Sequence, residues 1–264
     1  MKNTPYTLIE NNTPIPEGAH LVMLAGDTHG NPNELRNLFS EAHALGVKTI
    51  IQCGDYGFGW STGEDGICDF SVLTSVMAEK TGIEFYWLDG NHENFDELEK
   101  LPIDRATGLR PIVNHVTHLP RGSSLTIGNT TFRAFGGAYS VDKAYRTPHR
   151  SWWVQETCTE DDVQKAIEAG SADVFLSHDA PRGVQDTAGL RRKLVEWGAE
   201  AAEMSITNQE KVRRALDASG ASLAFHGHLH HSYECWIDNG TDNGVRVIGL
   251  DRDEKENNTF ILVC

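Results

Sequence analysis

Five times along this chain an apolar run of strand length ends in a small residue and then in Asp, Asn or His. The five stretches are Ala25-Gly26-Asp27-Thr28-His29, Cys53-Gly54-Asp55-Tyr56, Asp89-Gly90-Asn91-His92-Glu93, Leu176-Ser177-His178-Asp179 and Phe225-His226-Gly227-His228-Leu229-His230. Short apolar runs closed by such breakers read as buried strands that deliver a polar side chain to a loop. In open α/β sheets, ligands bind outside the carboxyl ends of the strands. The repeated pattern therefore calls for a fold in which five strand ends meet at one site, with Asp55 at its centre.

The elements between these stretches fit such a fold. Leu21–Ala25, Thr49–Cys53 and Phe85–Leu88 read as strands, and Leu35, Leu38, Phe39, Ala42 and Leu45 lie on one helical face that Gly46 ends. A second helix is expected near Phe70–Lys80 and a short one over Phe95–Lys100, before Pro102. Val113–Leu119, Ser123–Ile127 and Thr130–Phe135 then read as short strands, the last two joined by a Gly128-Asn129 hairpin turn. Residues 138–157 form a long connection rich in cations and aromatics. Thr159 is the expected cap of a further helix, and Val174–Leu176 and Leu223–Phe225 are buried strands. Leu190, Leu194, Trp197, Ala201 and Met204 repeat at helical spacing and read as a helix packed on the body. Thr207-x-x-Glu210 reads as a capping box that opens the next helix. Strands near Tyr233–Ile237, Val245–Leu250 and Phe260–Val263 close the chain. The alternation of strands and helices, with a meander in its middle, predicts an α/β fold of two mixed β-sheets packed face to face with helices outside. Residues 1–264 are expected to be a single domain, with 1–18 as a peripheral arm or edge element.

Composition narrows the partners. With 38 acidic and 23 basic side chains the formal net charge is −15, so the body is a poor binder of extended duplex nucleic acid, which rewards clustered Lys and Arg. Bound cations could reverse that sign locally. The five cysteines are scattered and lack a C-x-x-C, which points to a reducing, cytoplasmic setting. No apolar run approaches membrane-spanning length and no signal peptide is evident, so no membrane partner is expected. Nothing in the pattern specifies an oligomeric state.

The strand-end residues Asp27, His29, Asp55, Asn91, His178, His228 and His230 mix carboxylate, amide and imidazole, a set suited to divalent first-row metals. Seven ligands exceed the needs of one ion. Two ions sharing one carboxylate is the economical solution, and such pairs lie about 3.5–4 Å apart and clamp the attacking and leaving oxygens of a phosphoryl displacement.

In that order Asp27-Thr28-His29, Gly54-Asp55, Gly90-Asn91-His92-Glu93, His178 and Gly227-His228-Leu229-His230 resemble the motifs of the calcineurin-like metallophosphoesterases. The resemblance spans residues 26–230. It implies a helix-flanked β-sandwich and a two-metal phosphoesterase, acting on phosphomonoesters or phosphodiesters through a hydroxide held between the ions. One ion would take Asp27, His29 and His230, the other Asn91, His178 and His228, and Asp55 would bridge them. His92 would contact the phosphate or protonate the leaving oxygen, and Glu93 would orient the site rather than bind metal. The ions could be Mn, Fe, Zn, Ni or Co. Of the remaining polar candidates, Asp89 and Asp179 read as loop-fixing acids, and His20, His43, His115 and His118 as structural or surface residues.

One departure bears on substrate. Where the family's protein phosphatases continue to an Asp-Arg-Gly, this chain reads Asp55-Tyr56-Gly57-Phe58-Gly59-Trp60. That disfavours a serine/threonine protein phosphatase and leaves the phosphate-binding cation open. Phe135-Gly136-Gly137-Ala138-Tyr139 through Ser151-Trp152-Trp153 resembles a segment of small bacterial and phage-type members. Lys143, Arg146, Arg150 and Arg182 are the candidate substrate contacts, with nucleotides or oligonucleotide ends as a loose fit. Trp152 and Trp153 read first as anchors of the connection. A non-catalytic binding module keeping the fold is the rival from another class, and the intact ligand set argues against it.

Overall fold

The computed structural model describes residues 4–9, 15, 18–60, 69–184, 197–240, 244–255 and 257–264. The strands of the first half run β1 (Thr7–Leu8), β2 (Leu21–Ala25), β3 (Thr49–Gln52), β4 (Glu84–Trp87), β5 (Arg110–Val113) and β6 (Val116–His118). Those of the second half run β7 (Ser124–Ile127), β8 (Thr130–Phe135), β9 (Val174–Ser177), β10 (Leu223–His226), β11 (Tyr233–Ile237), β12 (Val245–Gly249) and β13 (Thr259–Val263). They form two mixed sheets, one ordered β1-β13-β2-β3-β4-β6-β5 and the other β11-β12-β10-β9-β8-β7. β2, β3 and β4 are mutually parallel, as are β8, β9, β10 and β12.

Both faces of the central strands are apolar, and alternation assigns each face a layer. From β2, Val22 and Leu24 join Ile51, Phe132, Val174, Leu176, Leu223 and Phe225 in the core between the sheets. Leu21, Met23 and Ala25 point the other way, with Ile50, Phe85 and Trp87, onto helices α1 (Pro32–Ala44) and α2 (Asp69–Thr81). On the far side Phe135, Phe175 and Ala224 meet α4 (Glu160–Glu168) and α5 (Ala199–Ser219). The result is the helix-flanked sandwich expected from the sequence. Among the described residues no helix is long and apolar enough to cross a membrane.

Local signals explain most boundaries. Asn31 caps α1 by accepting from the amides of Asn33 and Glu34, and Gly46, at φ +74°, follows its end. Thr159 and Asp162 form a reciprocal capping box on α4. Gly128-Asn129 turns the β7–β8 hairpin, with Ile127 opposite Thr130. Asn94 caps α3, which is a single turn, Phe95–Leu98.

Three expectations fail. The strand expected over Val113–Leu119 is present only as β6, Val116–His118: Val113 ends β5, which pairs antiparallel with β6 across a turn in which His115 sits at φ +62°. The capping box at Thr207 does not open a helix. α5 runs unbroken through it, and Thr207 Oγ1 donates to the Glu203 carbonyl one turn back, a bond that a helix interior offers to Thr. The apolar stripe is also not one packed helix. Gly198, at φ +98°, begins α5, and Trp197 and Met204 are exposed, while α5 buries Ala202, Ser205, Asn208, Gln209, Val212, Ala215 and Leu216. Leu190 and Leu194 lie outside the described residues. The N-terminal segment supplies an edge strand, since β1 pairs with β13.

Candidate metal centre

The carboxyl ends of β2, β3 and β4 from one sheet face those of β9 and β10 from the other. Two contacts pin the sheets together there: His178 Nδ1 donates to the Cys53 carbonyl at 2.8 Å, and the His228 amide donates to Asp27 Oδ1 at 3.0 Å. Around that seam stand all seven residues expected at the strand ends.

Asp27, His29, Asp55 and His230 form one group, their ligand atoms all within 4.8 Å of one another. His230 Nε2 lies 3.0 Å from Asp27 Oδ2, and His29 Nε2 lies 3.8 Å from the same oxygen and 3.5 Å from Asp55 Oδ2. On the other side of Asp55, His178 Nε2 is 3.3 Å from Oδ1 and 3.0 Å from the Asn91 amide oxygen. The His228 ring lies 5.0 Å from that of His178, centre to centre. Asp55 thus faces one donor group with each carboxylate oxygen.

The backbone is bent to achieve this. His29, Asp55, His228 and His230 all hold positive φ, between +46° and +64°, a region unfavourable to residues with a Cβ. Strain of this kind persists where surrounding structure enforces it, commonly at functional sites. Neighbouring glycines provide the space. A Cβ on Gly54 would meet His178 Nδ1 at 2.3 Å, one on Gly90 would meet Asp55 Oδ1 at 2.1 Å, and one on Gly227 would meet Asp27 Oδ1 at 2.1 Å.

Charge follows the same plan. Burial disfavours a charged His178, but Asp55 and Asp27 outweigh it and push the imidazole up to about 10. His29 is likewise raised to about 9 against its burial, by Asp55, Asp27 and Asp253. Against its own burial, Asp55 is held well below the usual carboxylate range by His178, His92 and His29. Burial and the neighbouring His178 keep His228 neutral, the form that ligates metal. Two buried carboxylates therefore demand cationic partners. Asp27 Oδ2 is buried and receives no hydrogen bond, although His230 Nε2 is 3.0 Å away. Carboxylate and imidazole groups that converge on one point, with Asp27 Oδ2 left without a hydrogen bond, are the donor set of a divalent cation, and the residues present fit one.

A supporting shell fixes these groups. Glu93, fully buried, accepts from the amides of Tyr56, Gly57, Phe58 and Gly90 and so clamps the loop after Asp55. Burial and the Asp55 charge push its carboxyl up to about 8 against those amides. Asp55 Oδ1 accepts from the amides of Asn91 and His92, each at 2.9 Å. Asp89 does fix a loop, bound at 2.8 and 2.6 Å by Arg121 and at 3.1 Å by His118. Asp179 accepts from Asn208 and from the Ala180 amide, each at 2.8 Å. His226 is buried against Tyr233 and the Gly227 carbonyl.

Sequence reasoning missed Asp253. Its Oδ1 lies 3.0 Å from His29 Nδ1 and its Oδ2 accepts from Asn31 at 3.0 Å, while its amide donates to the Asp27 carbonyl at 2.8 Å. A carboxylate behind a histidine fixes the ring's tautomer and aim. Asp251-Arg252-Asp253 follows β12 in an acidic stretch, and only the return of the chain past β2 brings it to His29.

The four candidate cations separate. Arg146 Nη2 donates to His92 Nδ1 and to the Asn91 carbonyl, each at 3.2 Å. Lys143 Nζ lies 4.3 Å above the Trp152 ring. Arg150 is exposed. Arg182 is half-buried, and its amide donates to the Gln209 carbonyl of α5. Trp153 is buried against the first sheet's outer core. Tyr56 and Phe58 are buried and stack on Trp87. Trp60 is half exposed, with its ring 6.4 Å from His29 and 6.2 Å from His92 and its indole N–H on the His92 carbonyl.

Residues 20–232 match the calcineurin-like phosphoesterase family. Among solved structures, TT1561 of Thermus thermophilus aligns with a TM-score of 0.53 and 11% identity, covering 89% of this chain and 90% of its own. A dimetal phosphatase from Danio rerio aligns with a TM-score of 0.50 and 12% identity, covering 88% and 87%. At such identities the likeness is one of fold. Comparison with curated proteins gives no match.

Proposed function

Because the chain belongs to the calcineurin-like phosphoesterase family, we propose that its strand-end residues hold two divalent ions and that it hydrolyses phosphomonoesters or phosphodiesters of modest size. Asp27, His29 and His230 would hold one ion, Asn91, His178 and His228 the other, and Asp55 would bridge them. The observation that carries this reading is the position of Asp55, with His29 at 3.5 Å from one oxygen and His178 at 3.3 Å from the other. Bound there, such ions activate water at neutral pH and offset the charge of a phosphoryl group.

The chain's own residues do the rest. An arginine can only donate, so Arg146 requires His92 Nδ1 to accept, and the ring's proton sits on Nε2. His92 can then donate that proton to a phosphate or leaving-group oxygen. Burial keeps the His92 imidazole below its ordinary value, against the pull of Asp55, which favours this neutral donor. Asp253 holds His29 by Nδ1, leaving Nε2 to face the carboxylates. Lys143, Arg150 and Arg182 are the proposed contacts to the substrate beyond its phosphate. Nucleotides or oligonucleotide ends are the proposed class, supported by the half-exposed Trp60 beside His29 and His92.

The test is hydrolysis of chromogenic phosphate mono- and diesters by metal-stripped protein, with and without Mn²⁺. Turnover should appear with the metal and vanish in Asp55→Asn. Metal-loaded protein inert on both esters, binding one ion or none, would favour the non-catalytic binding module.

A further inference from the structure

A closed set of buried polar groups joins Asn91 to the connection 138–157. Asn91 Nδ2 donates to Ser140 Oγ at 3.0 Å, Ser140 Oγ donates to Glu156 Oε2, and Arg146 Nη1 donates to Ser140 Oγ. Arg146 Nη1 also lies 3.3 Å from Glu156 Oε2, and Glu156 Oε1 accepts from the Trp153 amide at 2.9 Å. Asn91, Ser140 and Glu156 are all buried.

With Glu156 ionised, the direction of every bond in this set is forced. An arginine only donates and an ionised carboxylate only accepts, so the single Ser140 proton goes to Glu156. The hydroxyl's two lone pairs then take Arg146 and Asn91. Asn91 must therefore present its NH₂ to Ser140, which turns its carboxamide oxygen the other way, to 3.0 Å from His178 Nε2. The second Arg146 nitrogen spans the Asn91 carbonyl and His92 Nδ1. An amide side chain is the one proposed ligand with two chemically different ends, and a reversed Asn91 would offer N–H donors to a cation.

We propose that Ser140, Glu156 and Arg146 are positioning residues that lock Asn91 with its oxygen toward the second ion and hold His92 as the Nε2–H tautomer. This rests on the two-ion reading above. It also moves Arg146 from the substrate contacts to the support of the centre. The three residues lie within 17 positions on a connection that is otherwise largely exposed, so they tie its placement to the site.

Titration calorimetry with Mn²⁺ at pH 8, above the value of about 7 to which burial raises Glu156, tests it together with ester kinetics. In Ser140→Ala and Glu156→Gln one of two ions should bind about 10–100-fold more weakly, with the other unchanged and kcat falling more than KM rises. Arg146→Lys should lower kcat at near-constant KM. Ser140→Ala with both ions at wild-type affinity, or with both weakened alike, would overturn the proposal. So would Arg146→Lys that raises KM alone, the behaviour of a substrate clamp. If the wild-type chain binds fewer than two ions, the two-ion reading fails and this proposal falls with it.

Discussion

Gly90→Ala is a one-carbon change whose effect can be worked from distances. The added Cβ would lie 2.1 Å from Asp55 Oδ1, 2.3 Å from the Asp55 amide nitrogen and 2.8 Å from Asp55 Cγ. Ordinary contact begins near 3.4 Å, so the carboxylate has to retreat by about 1.3 Å in an interior packed as densely as a crystal. Asp55 Oδ1 accepts two backbone N–H bonds at 2.9 Å, and neither survives such a shift. Hydrogen bonds to charged groups are worth about 1.5–3 kcal/mol each, and overpacking costs about 1–3 kcal/mol. Allowing for partial relaxation, the loss should be about 3–5 kcal/mol, or roughly 1–2 M in the urea midpoint. The site needs its ligands within about 0.5 Å of productive geometry, so Mn²⁺ affinity should fall about 100-fold. Gly82→Ala is the control. Its Cβ meets nothing within 4 Å and its φ of +68° leaves only left-handed strain, about 1–2 kcal/mol. Urea unfolding of metal-free protein and Mn²⁺ calorimetry read both quantities. A Gly90→Ala protein that unfolds with Gly82→Ala and binds Mn²⁺ like the wild type would refute the reasoning.

Three further outcomes are expected. Asp253→Asn should weaken Mn²⁺ about 10–100-fold through the loosened His29 ring, without raising KM alone; unchanged affinity would remove Asp253 from the centre. His92→Ala should bind both ions but lose about 10²–10⁴ in kcat if His92 is the proton donor, whereas loss of an ion on that change would make it a ligand. The third is a pH effect. Burial opposes charge on Asp89, but Arg121 and His118 outweigh it and hold its carboxyl below the usual range. Below pH about 4 the unfolded chain then binds more protons than the folded one, so this contribution is complete above that pH and is lost as pH falls further. Asp89→Asn should be less stable at pH 6 by about 3–5 kcal/mol, and the gap should narrow toward pH 3 in urea titrations with chelator. A constant gap would contradict the assignment.

The hairpin at β5–β6 and the unbroken α5 show where local reading reached its limit. Val113–Leu119 has the composition of a strand, and nothing in it announces that His115 will adopt a left-handed conformation. Thr207-x-x-Glu210 has the residues of a capping box, but a cap needs free amides, and the turn before it had already supplied their partners. In both cases identical short sequences admit two conformations, and contacts from elsewhere choose between them.

The strand ends behaved differently. Doubly apolar strands must be covered on both faces, which is why β2, β3, β9 and β10 and their layers follow from the sequence alone. Residues that follow such strands must emerge at the carboxyl edge, so Asp27, Asp55, Asn91, His178 and His228 were bound to gather if the sheets met there. What composition and spacing could not supply was the orientation of each group. Asp253 reaches His29 across 224 residues, and Arg146 faces inward to His92 rather than outward to solvent. The hydrogen-bond set around Ser140 exists only once residues 91, 140, 146 and 156 are side by side. The sequence determined which chemical groups this protein brings to its strand tips, because burial is a property of residue type and pattern. Which way each group points was decided by the tertiary structure alone, because a hydrogen bond depends on a distance and an angle that no single segment contains.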